Sequence, residues 1–131
     1  MATMTINETN RRLIEDARAA AGRLAEARKR VVELRARLRK AEEHAELIEA
    51  RLTLSEAYSA GKNAEVRQAW LRMQRIDDPQ LSAALSSLES ARRELEAAEA
   101  EQQRLADEYR ITVEEIHLER AYLLQRGDEE D

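Results

Sequence analysis

The chain has no cysteine and no phenylalanine, one proline, three glycines, and only one tryptophan and three tyrosines for its aromatics. Each shortage excludes something. Without cysteine there is no disulfide framework and no thiolate chemistry, which fits a reducing cytoplasm. With so few aromatics, a thick globular core is out of reach. One proline and three glycines leave few places where a helix must stop. No apolar run approaches ~18 residues, so no membrane span is expected. The N-terminus lacks the basic-then-apolar layout of a signal peptide. These absences give the expectations of no membrane partner and a cytoplasmic location.

What the chain does have is charge and helix formers. Of its 131 residues 37% are charged, and the net charge of -5 gives no global case for nucleic acid. Ala, Glu, Leu and Arg dominate, a composition of coiled coils and long helices. One helical domain over residues 1–131 is therefore expected. Thr5 and Glu8 have capping-box spacing, so a helix is predicted over about 6–58. Ser59-Ala60-Gly61 ends it, with Gly61 as a left-handed stop, and the turn covers 59–63. Asn63 caps a short helix over about 64–76. Asp78 and Pro79 then start a helix over about 79–126, followed by a frayed acidic tail, 127–131.

Steps of three and four along the first helix pick out Leu13, Ala17, Ala20, Leu24, Ala27, Val31, Leu34, Leu38, Ala41, Ala45, Ile48 and Leu52. The last helix repeats the pattern with Leu81, Ala84, Leu88, Ala91, Leu95, Ala98, Gln102, Leu105, Tyr109, Thr112, Ile116, Glu119 and Leu123. Seams this narrow and sustained predict an all-α fold: a long antiparallel coiled-coil hairpin with a short capping helix at its turn. At ~1.5 Å per residue each long helix spans roughly 70–80 Å.

Charge selects a register. With Leu38 opposite Ala98, the flanking pairs are Arg23–Glu115, Arg30–Glu108, Arg37–Glu101, Arg35–Glu99 and Glu42–Arg92, with His44 near Glu94. Sliding one heptad sets Arg35 against Arg92 and Asp16 against Glu115, and the core agrees with the first register, large facing small at Leu38–Ala98, Leu95–Ala41, Tyr109–Ala27 and Ile116–Ala20, so that register is expected. Each exposed pair is worth only ~0.3–0.5 kcal/mol. The pairing lies either within one chain or between two, with the cap as a hinge.

Candidate chemistry is sparse. Glu114-x-x-His117 has the spacing of half a di-iron carboxylate site, but both residues fall outside the seam and no second copy exists. No phosphate loop or nucleophile–base set is present, so the chain reads as non-catalytic, with no cofactor or metal. Residues 28–40 hold seven Arg or Lys against one Glu. In the expected register Arg30, Arg35 and Arg37 meet glutamates, Arg28 lies opposite Ala106, and only Lys29, Arg39 and Lys40 face fully out. The cap is more suggestive. Arg51, Lys62, Arg67, Arg72 and Arg75 outnumber Glu56 and Glu65, close to Tyr58 and Trp70, with Asn63 at the turn. Basic groups among aromatics suit single-stranded nucleic acid or another partner. The plainer reading, which is preferred, makes Trp70 a plug for the coiled coil. The short helix has its own apolar stripe, Val66, Ala69, Met73 and Ile76. Towards the other end of the hairpin, Ile14, Ile111, Val113, Leu118, Tyr122 and Leu124 lie off the seam. Two helices cannot bury them all, which marks an association surface.

Gly61-Lys62-Asn63-Ala64-Glu65, followed by Arg67, sits between a Glu/Ala/Arg-rich helix and a second helix. It resembles a turn carried by small phage-encoded helical coiled-coil proteins. Arg51-Leu52 and Tyr58-Ser59 ahead of the turn make the layout similar to phage recombination mediators, which are ring-shaped oligomers that load a recombinase onto single-stranded DNA. That resemblance implies basic roles for Lys62 and Arg67. The expected function is an oligomeric scaffold or adaptor that binds itself and another protein. The alternative is a mediator-like protein that binds single-stranded nucleic acid through the cap.

Overall fold

Thr53-Leu54-Ser55 breaks the first helix earlier than the glycine does. The Thr53 hydroxyl donates to the Ala50 carbonyl at 2.7 Å and the Ser55 hydroxyl to the Leu52 carbonyl at 2.6 Å. The amides of Leu54 and Ser55 fall back on the carbonyls three residues earlier. Side-chain hydroxyls that compete for backbone partners close a helix end in this way. In the computed structural model, which describes residues 6–130 and the side-chain environments of residues 8–127, α1 therefore spans Ile6–Thr53 and not the predicted 6–58. The expected capping role of Thr5 lies outside the described residues.

Ser55 then caps a single turn, α2 (Glu56–Ser59), by accepting the Tyr58 amide. Asn63 Oδ1 accepts the Val66 amide at 3.0 Å and starts α3 (Ala64–Asp77). Asp78 Oδ1 accepts the Leu81 amide at 2.9 Å, with Pro79 in the first helical position, and starts α4 (Pro79–Glu130). α4 runs through Gly127, whose backbone is not left-handed. A helical glycine costs only ~1 kcal/mol against alanine, too little to force a stop. The chain is all-helical, with no strand among the described residues. None of the described helices is long and apolar enough to cross a membrane.

The chain divides into two compact units: Val32–Ala97, and Met1–Val31 together with Ala98–Asp131. Within the first, Ala45, Ile48, Leu81, Ala84 and Leu88 form a buried cluster, with Leu38, Ala41, Leu52 and Leu85 packed against it. Within the second, Ala20, Leu24, Val31 and Leu105 are the buried hydrophobic residues described. Every buried residue described in either unit lies on the seam read from the sequence. Glu119, the one charged seam position, is exposed.

The register differs from the one that charge selected. Arg23 pairs with Glu108 at 2.6 Å, not with Glu115, and Arg37 pairs with Glu94 at 3.1 Å, not with Glu101. Each unit is thus one heptad from expectation. Glu101 is taken by Arg104 of its own helix at 2.6 Å, and that hydrogen bond holds its carboxyl below the usual range. Among the described residues Arg30 takes no carboxylate partner. His44 lines a groove with Ser87 and does not meet Glu94.

The apolar layers account for the slide. In the unit of Met1–Val31 and Ala98–Asp131, the observed register sets Leu24 against Leu105 and leaves Thr112 and Gln102 opposite Ala17 and Ala27. The expected one would have faced Leu24 with Thr112. In Val32–Ala97, the expected register would have faced Leu81 with Ser55, beyond the end of α1. The observed one clusters Leu81 with Ile48. Burying one leucine is worth ~1.5–3 kcal/mol. An exposed ion pair contributes ~0–1 kcal/mol. A few well-placed leucines therefore outweigh the charge pattern, including the like-charged neighbours that the slide creates.

Candidate functional site

The segment that joins α2 to α3 is assembled by short-range constraints. An ideal Cβ on Gly61 would lie 2.5 Å from Arg67 Cγ and 3.3 Å from both the Arg67 nitrogen and the Tyr58 carbonyl. Glycine is required because α3 begins hard against this turn, not because of a left-handed φ, which no glycine among the described residues adopts. The close approach brings Tyr58 of α2 edge-on to Trp70 of α3, with centroids 6.1 Å apart at 60°. The Arg67 guanidinium lies 6.0 Å from the Tyr58 ring centre. Edge-to-face aromatic pairs and cation–π contacts each stabilise by about 0.5–1.5 kcal/mol.

The packing face of α3 is Arg67, Trp70, Leu71 and Gln74, all half-buried at i, i+3, i+4 and i+7. The stripe expected to pack, Val66, Ala69, Met73 and Ile76, is exposed instead. Trp70 is the largest side chain on the helix, so the face that buries it with Leu71 wins, although Arg67 and Gln74 on that face are polar.

Of the eight cap candidates, Tyr58, Arg67 and Trp70 come together as one packed group, and Asn63 serves as the α3 cap. Arg75 reaches Glu49 at 3.7 Å. Arg51 is set apart, lining a groove with Ile48, Gln80 and Ala84. Lys62 and Arg72 are exposed, with no partner among the described residues. Sequence reasoning missed Leu71 and Gln74 as packing residues. Their spacing from Arg67, four and seven residues on, was the available signal.

The six association candidates fall on two faces. Ile111, Leu118 and Tyr122 are seven and four residues apart and share one side of α4. Val113 and Leu124, eleven apart, lie on another. Leu124 lines a groove of about 430 Å³ with Asn10, Ile14, Arg120 and Leu123. Five of the six are exposed, Leu118 at 70% and Leu124 at 73% among them. Val113 is half-buried, a correction to its place in the exposed set. Glu114, His117 and His44 are all exposed, and among the described residues no three His, Asp or Glu side chains converge as metal ligands.

No protein-family profile, curated protein or solved structure matches the chain. Its function must be read from these surfaces.

Proposed function

We propose that this chain is a non-catalytic coiled-coil interaction protein. In this reading it is an antiparallel helical hairpin with α3 as a cap at its turn, and it acts as an oligomeric scaffold or adaptor. The observation that carries the reading is the apolar surplus on α4. Ile111, Leu118, Tyr122 and Leu124 are each at least half exposed and lie off the seam. Apolar surface gathered in this way serves association. The cap supports the same reading. Tyr58, Trp70 and Arg67 are engaged with one another, as a plug would be.

Light scattering after size exclusion, at micromolar concentration, is expected to report more than one chain per particle. A particle of one chain at every concentration would overturn the reading. A fluorescent single-stranded oligonucleotide tests the alternative in the same preparation. The scaffold reading expects no binding at low salt. Binding that weakens steeply with salt, as phosphate contacts do, would transfer the function to the cap.

A further inference from the structure

The two apolar faces of the unit formed by Met1–Val31 and Ala98–Asp131 carry opposite charge. Near Leu118 and Tyr122 lie the exposed carboxylates Glu114 and Glu115, four and three residues before Leu118, with Glu119 at the seam edge three before Tyr122; the exposed Arg126, four after Tyr122, shares this side and is outnumbered. Asp16 of α1 belongs to this side too. The Arg23–Glu108 pair fixes the register, and one heptad out from it Asp16 stands across from Glu115. This is the like-charged juxtaposition that the slide accepted, and among the described residues neither carboxylate has a cation. The groove on the other side holds Ile14 and Leu124 with Arg120 in its wall. Arg11 and Arg18, three before and four after Ile14, are exposed beside it.

We infer that the protein assembles head to tail: the acid-rimmed stripe Ile111, Leu118 and Tyr122 of one copy docks on the base-rimmed groove of Ile14, Leu123 and Leu124 of a second copy. This rests on the self-association proposed above and specifies its geometry. A two-fold contact would place like on like, carboxylates against carboxylates or guanidiniums against guanidiniums, and like charges brought together oppose docking. A contact between different faces pairs each apolar stripe with an apolar groove and each acid with a base. It also leaves one face of each kind free, so assembly continues beyond two copies.

Two variants block one face each. Leu118→Glu with Tyr122→Glu closes the stripe, and Ile14→Glu with Leu124→Glu closes the groove. All four side chains are exposed, and circular dichroism checks that helix content is kept. Each variant alone should be monomeric where the wild type forms particles larger than a dimer. An equimolar mixture should form a one-to-one heterodimer and nothing larger, because one intact stripe meets one intact groove. A charge pair provides a second route if either variant loses helix. Glu115→Arg or Arg18→Glu alone should weaken assembly on the order of tenfold or more, and mixing the two should restore assembly beyond two copies, because each contact between unlike variants again pairs an acid with a base.

If wild type is monomeric at every concentration, self-association fails and this geometry with it. If wild type assembles but the mixture stays monomeric, or either blocked variant assembles like wild type, the head-to-tail contact is overturned while self-association stands. Assembly that stops at a wild-type dimer overturns it as well.

Discussion

In the unit Val32–Ala97, Leu34, Ala45, Ile48, Leu81, Ala84, Leu88, Ala91 and Leu95 are all buried. In the unit of Met1–Val31 and Ala98–Asp131, burial stops at Ala20, Leu24, Val31 and Leu105, while Leu13, Tyr109, Ile116 and Leu123 are only half-buried. Both units are built on the same heptad seam, so periodicity is not what separates them. One difference is composition. The less buried unit places Gln102, Thr112 and Glu119 on its seam and carries leucines off it. The other is α3, which adds a third helix to Val32–Ala97 and pairs with α1 there through Arg75 and Glu49. The buried cluster itself is made by α1 and α4 alone, Ala45 and Ile48 against Leu81, Ala84 and Leu88, so composition along the seam is the larger difference. A stable core and an adhesive surface can thus be written on one repeat by moving leucines one or two positions.

The sharpest way to break this comparison is to remove one leucine from each seam. Leu81 is fully buried, so Leu81→Ala should cost about 2–5 kcal/mol in urea unfolding. Leu123→Ala, at a half-exposed position, should cost about 1 kcal/mol or less. Equal losses would mean that the two units are equally packed in solution.

Next in size is the cap. Trp70→Ala removes a half-buried ring and should cost about 1–3 kcal/mol, less than the ~3–5 of a fully buried tryptophan. Gly61→Ala should cost about 1–3 kcal/mol through overpacking against Arg67. It should also change Trp70 emission, since the same shift moves Tyr58. A Gly61→Ala protein with wild-type stability and emission would show that the close approach is not kept in solution.

The smallest effect concerns register. A double-mutant cycle on Arg37 and Glu94 should give a coupling of about 0.2–1 kcal/mol, and one on Arg37 and Glu101 should give none. Coupling to Glu101 in place of Glu94 would restore the charge-selected register.

Much of the site was visible in advance, but its grouping was not. The residues Tyr58, Arg67 and Trp70 stood out by type, yet only the Gly61 approach shows that they pack on each other. The six off-seam residues stood out by phase, yet spacing alone did not say that Leu124 shares a groove with Ile14 while Leu118 does not. The end of α1 was legible in Thr53-Leu54-Ser55, whose hydroxyls compete with the helix, but Gly61 is the stronger stop by residue type.

Helicity, the seam and the caps at Asn63 and Asp78 were settled by the sequence alone. They depend on residues within one or two turns of each other, where spacing and side-chain type determine the outcome. Register and the buried face of α3 were decided by the tertiary structure, because each is a competition between distant groups. Leu24 and Leu81 had to find apolar partners, and Trp70 had to find cover. Those burial energies, larger than any exposed ion pair, moved Arg23 to Glu108 and Arg37 to Glu94.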